Sequence, residues 1–420
     1  MSISAEAKGS ASSQQLVQTA VQRIAEVEPQ VKAWVSVDTE GAMAVARQQD
    51  AAPDKAGPLR GVTIGVKDVV DLAGCQTLAG SRTRQNVAVA ATDAALVGQL
   101  RAAGGIVLGK TVTTEYATMD PAATVNPWTL RHTPGGSSSG SAAAVAAGMV
   151  AVAIGTQTAG SICRPAAYCG VAALKPSHGF FPRDGVVPLA PSFDTLGFMA
   201  QRVADCAFVL EALTGQPRPP LVAKPRIGLP SRHFYPEADA ESLALLDRMA
   251  QLVAQHTDCE TVAIDPPFDR DAVVAQHRRV MAGEAYAAHG AVYHAAADML
   301  GPRIRELLQM GAGLSAAELD DARAWLAEWR GNVWHALADC DAILTLPVPA
   351  SAPEGFSTTG PAAYLIPWTA LLGPLVVMPG GLDRHGLPLA TMLAAAPGRD
   401  HALMALAERL EPLAYQLSAR

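Results

Sequence analysis

The sequence has few charged residues and no dense basic run, and these shortages exclude several classes of protein. Charged residues make up 17% of the 420 positions, and 32 Lys and Arg against 39 Asp and Glu give a net charge of −7. We therefore expect no nucleic-acid partner, because phosphate binding requires concentrated positive charge. Half of the residues are hydrophobic, and the 30 prolines and 36 glycines are spread along the chain, which excludes a disordered protein and a fibre.

Cysteine pairs, long apolar runs and metal-binding spacings are also missing. The six cysteines form no C-x-x-C pair and are too sparse for a disulfide framework, so we expect buried, reduced thiols. The most apolar stretch, residues 142–154, is shorter than the roughly 20 residues of a membrane span. The N-terminus lacks the apolar core of a signal peptide, and the histidines fit no zinc motif. We expect a cytoplasmic protein with no membrane partner and no metal.

Strand and helix patterns alternate through the first 210 residues. Val62, Ile64 and Val66 share one face of a strand, which places Lys67 near the strand's end. Further patterns predict helices over 93–103 and 141–148 and strands over 106–108 and 150–154. Such repeated strand–helix–strand units predict an α/β fold with a parallel or mixed sheet.

A Pro-rich stretch at 216–220 is followed by long helical patterns and then by strand patterns. The helices are expected near 271–297 and 315–338, the second opening with a capping box of Ser315 and Glu318. Strands are expected over 342–346, 375–378 and 387–393. Because these late strands can rejoin the first sheet, we predict a single domain over residues 1–420.

Two short motifs match catalytic patterns by letter but not by context. Residues 104–111 fit the phosphate-loop pattern G-x-x-x-x-G-K-[ST], yet the variable positions include Ile-Val-Leu, which is itself a strand. Residues 136–140 fit the nucleophile elbow G-x-S-x-G, which must directly follow a buried strand, whereas Arg-His-Thr-Pro precedes it here. We expect neither motif to act as its pattern suggests.

A lysine and two serines remain that together suit acyl transfer. Lys67 ends an apolar strand, Ser137 lies in a Gly/Ser loop, and Ser161 follows the loop 155–160. Acyl transfer requires a nucleophile, a proton acceptor and N–H donors for the developing oxyanion. The small residues Ala159 and Gly160 allow backbone N–H groups to approach a carbonyl closely. Taken alone, a lysine beside Asp68 is more often a solvated ion pair, but the ordered set favours catalysis.

These residues resemble the amidase signature family. The resemblance rests on Gly-Gly-Ser-Ser-Ser-Gly-Ser-Ala-Ala-Ala-Val-Ala-Ala-Gly at 135–148, on Ile-Gly-Val-Lys-Asp at 64–68 and on the 24 residues that separate Ser137 from Ser161. It is dense over about 57–200, the signature core, and thin over about 215–400, which we expect to form a more variable pocket wall. Within the family, the run Gly-Thr-Gln-Thr-Ala-Gly-Ser-Ile-Cys-Arg at 155–164 is most similar to the malonamidase group.

The resemblance implies a large mixed β-sheet covered by helices on both faces, and a Ser-cisSer-Lys triad. Ser161 would be the nucleophile, Ser137 the bridging serine at a cis peptide bond, and Lys67 the general base. The implied oxyanion hole consists of the backbone N–H groups of Thr158, Ala159, Gly160 and Ser161, and Ser138 and Thr156 would supply supporting hydrogen bonds. The resemblance implies no cofactor, and it suggests a homodimer.

The chain departs from the family pattern at three positions near Ser161. Many members have Asp at the position of Gln157 and Gly at that of Ala159, whose methyl group requires an ordinary backbone angle. The third departure concerns an arginine that comes third after the nucleophile, as Arg164. In the malonamidase group, an arginine at this position is similar to a clamp for a substrate carboxylate. An arginine fork suits that role, although Arg164 could instead bind a core group. Cys163 is expected to be a packed thiol.

Three functions follow from these residues. The preferred one is an amidohydrolase that cleaves a small linear amide, with or without a terminal carboxylate, through an acyl-enzyme. The first alternative is the glutaminase-type A subunit of a transfer-RNA amidotransferase complex. The second is a binding protein that keeps the fold without turnover.

Overall fold

One mixed β-sheet runs through the computed structural model, which describes residues 11–220, 222–265 and 269–418. Within those ranges, eleven strands form the sheet: β1 (Trp34–Val37), β2 (Thr63–Lys67), β3 (Ile106–Thr111), β4 (Val152–Gln157), β5 (Ala172–Lys175), β6 (Thr195–Ala200), β7 (Arg226–Pro230), β8 (Glu260–Ile264), β9 (Ala342–Thr345), β10 (Leu375–Leu382) and β11 (Pro388–Ala394). Their order across the sheet is β1-β3-β2-β4-β6-β5-β10-β11-β9-β7-β8.

Helices account for about half of the remaining described chain. The same ranges contain twelve α-helices: α1 (Ser13–Val31), α2 (Thr39–Ala51), α3 (Ala95–Ala102), α4 (Ser139–Ala146), α5 (Cys163–Cys169), α6 (Val203–Thr214), α7 (Ala240–His256), α8 (Arg270–Ala296), α9 (Pro302–Ala312), α10 (Ala316–Ala336), α11 (Ile366–Ala370) and α12 (Asp400–Ser418). None of these helices is long and apolar enough to cross a lipid bilayer.

The late strands rejoin the early ones, which confirms the predicted single α/β domain. Strand β10 pairs antiparallel with β5, with Leu375 opposite Lys175, and β11 and β9 extend the sheet from there. The Pro-rich stretch at 216–220 therefore connects two parts of one sheet. Near β2 the sheet is parallel, because β2 pairs with both β3 and β4 in that direction.

Both faces of the sheet are apolar, as its helical covering requires. Along β4, Val152 and Ile154 belong to one hydrophobic cluster and Ala153 to the other. Helices α3, α6, α7 and α12 pack in the first cluster, and α1, α2, α4, α5 and α10 in the second. Because successive side chains of a strand point to opposite faces, the alternation places helices on both sides of the sheet, as predicted.

The phosphate-loop pattern lies in strand β3, as its context indicated. Lys110 is buried in that strand, and its Nζ lies 3.2 Å from Asp68 Oδ1 and 2.5 Å from the Val70 carbonyl. The lysine is thus held by a buried carboxylate and a backbone carbonyl. It is not presented on a flexible loop to a phosphate.

Helix α4 lies unusually close to neighbouring backbone because Gly140 has no side chain. A Cβ at this position would lie 2.3 Å from the Ala33 carbonyl oxygen and 2.4 Å from the Val112 nitrogen. Neither backbone atom can yield as a flexible side-chain end would. The close approach positions the Gly/Ser segment that begins the helix.

Gly140→Ala should therefore destabilise the protein. We expect the free energy of unfolding to fall by about 1–3 kcal/mol, the usual cost of overpacking. Gly98→Ala in helix α3 is the matched control, because no atom lies within 4 Å of the Cβ it would add. That variant should be neutral or gain up to about 1 kcal/mol from helix propensity. Urea unfolding measures both, and equal stability of the two variants would contradict the close approach.

Candidate active site

The predicted site residues meet at one edge of the sheet. Strands β2 and β4 are parallel neighbours, with Val66 opposite Ile154, so both end at the same edge. Lys67 is the last residue of β2, and β4 continues to Gln157, three residues into the predicted loop. The loop 158–162 and the Gly/Ser segment before α4 lie beside these strand ends.

Lys67 is completely buried and is surrounded by hydroxyl groups. Its Nζ lies 2.7 Å from Ser137 Oγ, 2.8 Å from Thr156 Oγ1 and 3.4 Å from the Thr156 carbonyl oxygen. Asp68 forms its ion pair with Lys110 instead. The interpretation of Lys67 as a solvated ion pair is therefore wrong.

Burial lowers the pKa of Lys67 well below its ordinary value of 10.5. The charge of Asp194 opposes this shift, and the positive charge of Arg164 adds to it. Desolvation penalises only the charged form, so it favours the neutral amine. A neutral amine carries a lone pair and can accept a proton from a neighbouring hydroxyl.

Ser137 and Ser161 belong to two segments that are joined by backbone hydrogen bonds. The Gly136–Ser137 peptide bond is cis. The Ser138 N–H donates to the Ser161 carbonyl at 3.2 Å, and Ser138 Oγ lies 3.4 Å from both the nitrogen and the carbonyl oxygen of Thr156. Ser138 and Thr156 therefore hold the two segments together beside Lys67, where the resemblance places supporting residues.

Gln157 explains one departure from the family pattern. Its Oε1 accepts from the Ile162 N–H at 2.8 Å and the Cys163 N–H at 3.0 Å, at the start of helix α5. Its Nε2 donates to Thr369 Oγ1 at 2.9 Å. The carboxamide thus uses both its acceptor and its donor, which an ionised aspartate could not do. Sequence reasoning noted the substitution but found no role for it.

The carbonyl groups of the loop 158–161 all accept hydrogen bonds from the surrounding protein. Their donors are His277 Nε2 to Thr158 at 2.9 Å, Thr369 Oγ1 to Ala159 at 2.5 Å, the Arg164 N–H to Gly160 at 2.9 Å and the Ser138 N–H to Ser161 at 3.2 Å. In a planar trans peptide the N–H points opposite to the C=O. The N–H groups of Ala159, Gly160 and Ser161 therefore point away from these donors, and no hydrogen bond within the described ranges uses them. Ala159 has no positive φ, so its methyl group is accommodated.

Asp194 and His277 support Thr158 and were missed by sequence reasoning. Thr158 Oγ1 donates to Asp194 Oδ1 at 2.5 Å, while Asp194 Oδ2 accepts the N–H groups of Leu189 and Ala190. Burial lowers the pKa of His277 to about 4, so its ring is neutral near pH 7. Neither residue lies in a motif, and His277 is about 120 residues from the loop it contacts, so no local signal identified them.

Arg164 is buried beside Ser161 and is bound mainly to the backbone. Its Nε and Nη2 donate to the Gly136 carbonyl at 3.1 and 2.8 Å, and its Nη1 donates to the Gly360 carbonyl at 2.7 Å. Burial lowers its pKa to about 10. No carboxylate of the described residues forms an ion pair with it, and two of its five N–H donors take no part in these bonds.

A cavity of about 300 Å³ opens above Ser161 and Arg164. Its walls are mainly apolar and include Leu189, Val274, Met281, Leu307 and Ile366. At its rim, Arg278 Nη2 lies 2.5 Å from Glu306 Oε1, and Arg303 lies 3.8 Å from the same carboxylate. Most of this wall comes from the region where the family resemblance is thin.

The described residues around Ser161 supply neither a second thiol nucleophile nor a metal centre. Burial raises the pKa of Cys163 to about 12, so this thiol stays protonated. Within the described ranges, no group of three His, Cys, Asp or Glu side chains is arranged to hold a metal ion.

Comparison with known proteins agrees with this architecture. The profile of the family described as Amidase matches residues 15–404. The chain is 32% identical over 467 residues to the A subunit of the glutamyl-tRNA(Gln) amidotransferase from Synechococcus sp. (strain RCC307), covering 98% of this chain and 96% of that protein. It is 30% identical over 434 residues to the 2-amino-5-chloromuconic acid deaminase of Comamonas testosteroni, covering 96% and 92%.

Other matches are partial in sequence or come from solved structures. The chain spans 44% of the length of two Roseiflexus glutamyl-tRNA(Gln) amidotransferase proteins that it matches at 46% and 44% identity. The X-ray structure of the peptide amidase from Stenotrophomonas maltophilia superposes with a TM-score of 0.84 at 28% identity, covering 99% of this chain and 96% of that one. The chain therefore belongs to the amidase family.

Proposed function

We propose that this chain hydrolyses small linear amides to a carboxylic acid and ammonia, with Ser161 as nucleophile, Ser137 as bridging hydroxyl and Lys67 as general base. The observation that carries the proposal is the Lys67 amine, completely buried and 2.7 Å from Ser137 Oγ. Burial favours its neutral form. A serine hydroxyl becomes a nucleophile when a nearby base takes its proton, and this amine is such a base.

The reaction proceeds in two halves. Ser161 Oγ attacks the amide carbon while its proton passes through Ser137 to Lys67. The tetrahedral intermediate collapses, the carbon–nitrogen bond breaks, and the proton returns from Lys67 to the leaving nitrogen, so that ammonia departs. Water then attacks the ester carbon and gives a proton to Lys67. Breakage of the ester bond releases the acid, and the proton returns to Ser161.

The developing oxyanion binds the unused N–H groups of Ala159, Gly160 and Ser161, with the Thr158 N–H next to them. Outward hydrogen bonds fix the peptide planes of this loop before any substrate binds. Preorganised donors of this kind need no rearrangement as charge develops, which is the source of their catalytic effect.

The cavity supports a small substrate with an apolar segment. In the malonamidase-like version of the proposal, this substrate also carries a carboxylate. Its volume of about 300 Å³ is at the low end for ligand sites. Arg164 is a buried cation without a carboxylate partner in the described ranges, and its two remaining N–H groups suit a substrate carboxylate. One relative is named 2-amino-5-chloromuconic acid deaminase, and this name denotes an acid substrate.

The glutaminase-type A subunit remains the alternative, and the names of several relatives favour it. The cavity argues against it. Glutamine carries an α-ammonium group, and Glu306 is the one carboxylate among the described residues that line the cavity. That carboxylate already pairs with Arg278. Ammonia release from glutamine that appears only with partner subunits and charged transfer RNA would favour the alternative.

Ser161→Ala should abolish turnover while leaving the fold intact. We expect ammonia release across a panel of short amides to fall at least about a thousandfold, because removal of the nucleophile disables the whole triad. Ser139→Ala is the matched control, since Ser139 lies in the same Gly/Ser segment and its buried hydroxyl has no hydrogen-bond partner among the described residues. It should stay within a few-fold of wild type. Retained turnover in Ser161→Ala, or its continued labelling by a fluorophosphonate, would end the proposal.

Arg164→Ala should discriminate between charged and neutral substrates. We expect kcat/KM for malonamate to fall about 10- to 100-fold more than kcat/KM for malonamide, since a hydrogen-bonded charge pair is lost only with malonamate. A common loss for both substrates is expected as well, because the Gly136 and Gly360 carbonyls lose their donor. Equal losses for the two amides would mean that Arg164 only holds the backbone.

A neutral Lys67 should also give a specific pH dependence of stability. Because its pKa is lowered on folding, the unfolded chain binds the extra proton, and the free energy of unfolding rises with pH up to the ordinary pKa of 10.5. Lys67→Met lacks this titration. The stability of wild type relative to Lys67→Met should therefore increase with pH, by up to about 1.4 kcal/mol per unit between about pH 8 and 10.

Urea unfolding at a series of pH values measures this difference. Lys55→Met, at an exposed lysine, controls for the loss of a lysine as such. A difference between wild type and Lys67→Met that does not change with pH would mean that Lys67 is protonated in the folded protein. Such an amine could not act as the base.

A further inference from the structure

His277 is a buried histidine on helix α8 that contacts the loop carrying the predicted oxyanion donors. Its Nε2 lies 2.9 Å from the Thr158 carbonyl oxygen. A carbonyl oxygen only accepts, so Nε2 carries the hydrogen and donates. The neutral ring then has its lone pair on Nδ1, which is buried without a hydrogen-bond partner in the described ranges.

The His277 ring is held rigidly in this orientation. It stacks on Phe193, with ring centroids 4.2 Å apart and an interplanar angle of 29°. The next residue, Asp194, accepts the hydroxyl of Thr158. Phe193 and Asp194 therefore act on the same loop residue, one through the histidine to the carbonyl group and the other directly on the side chain.

A donor at the Thr158 carbonyl determines where the next N–H points. The Thr158 C=O and the Ala159 N–H belong to one peptide plane and point in opposite directions. His277 holds the carbonyl on the side of helix α8. The Ala159 N–H is thereby directed to the other side of the loop, where it makes no hydrogen bond within the described ranges.

We propose that His277 is a positioning residue that aims the Ala159 N–H at the developing oxyanion by holding the Thr158 carbonyl. The inference rests on the proposed amide hydrolysis. It assigns a role in the reaction to a helix outside the signature core. His277 need not contact the reacting atoms, because it acts through the peptide plane.

The test replaces the donor and then restores it. His277→Leu should lower kcat about 10- to 100-fold, the effect of a misdirected oxyanion donor, and change KM by less than about twofold. His277→Gln should recover most of kcat, because its amide nitrogen reaches about as far as Nε2. His277→Asn, equally polar but shorter, should not. The Gln and Asn variants keep the test valid if His277→Leu does not fold.

His289 provides a matched control on the same helix. It is also buried, and its Nε2 donates to the Pro188 carbonyl at 2.7 Å, but it does not line the cavity. His289→Leu should lose a comparable amount of thermal stability and keep kcat within about twofold. The measurements are kcat and KM for the amide that wild type turns over fastest, the rate of fluorophosphonate labelling, and the midpoint of thermal unfolding.

The outcomes separate this inference from the proposed function. If wild type neither releases ammonia from any amide nor reacts with the fluorophosphonate, the proposed function fails and the inference falls with it. If wild type is active but His277→Leu keeps its kcat, the inference alone is wrong. It is also wrong if the Gln variant is no better than the Asn variant, or if His289→Leu loses as much kcat as His277→Leu.

Discussion

Burial of a single amine is the constraint on which the site depends. Desolvation makes the ammonium form of Lys67 costly, and the surroundings offer it hydroxyl and carbonyl groups in place of a carboxylate. The adjacent Asp68 would remove this effect if it paired with Lys67. Its ion pair with Lys110, on the neighbouring strand, prevents that. In the proposed mechanism, the buried pair thus has a use beyond stability, because Asp68 does not pair with the proposed base.

In the loop after β4, hydrogen bonds from the surrounding protein orient the backbone N–H donors without the help of a ligand. Four elements supply hydrogen bonds to its carbonyl groups: the Gly/Ser segment, helix α5, which directly follows the loop, helix α8 and helix α11. Each bond fixes one peptide plane, and together they leave a row of N–H groups on the inner side. Thr369 takes part twice, since it donates to Ala159 and accepts from Gln157. The carbonyl groups of the loop are thus bound, while the N–H groups of Ala159, Gly160 and Ser161 take part in no hydrogen bond within the described ranges.

The sequence predicted which residues come together at the candidate site better than it predicted their surroundings, and the reason is physical. Lys67, Ser137 and Ser161 lie in segments whose small or apolar residues have a recognisable local pattern, and the late helices and strands followed their periodicity. Helix α1 continues through Pro29 to Val31, because a proline in the last turn removes only one hydrogen bond. Strands β7 and β8 and helix α9 had no clear pattern.

Long-range partners were beyond such reasoning. Asp194, His277 and Thr369 act through contacts that depend on the whole fold, and nothing in their neighbouring residues distinguishes them. The role of Arg164 was likewise open, since the backbone carbonyls of Gly136 and Gly360 that it binds cannot be read from residue types.

Most of the cavity wall comes from a different stretch of the chain than the proposed triad. Val274, Met281 and Leu307 line the space above Ser161, yet none belongs to the segments that contain Lys67, Ser137 and Ser161. Paralogues could therefore differ in these walls while they keep those three segments unchanged. Position 277 is the exception, because helix α8 both lines the cavity and contacts the loop through the hydrogen bond from His277 to the Thr158 carbonyl. If helix α8 changes during evolution, the residue at position 277 would have to stay the same.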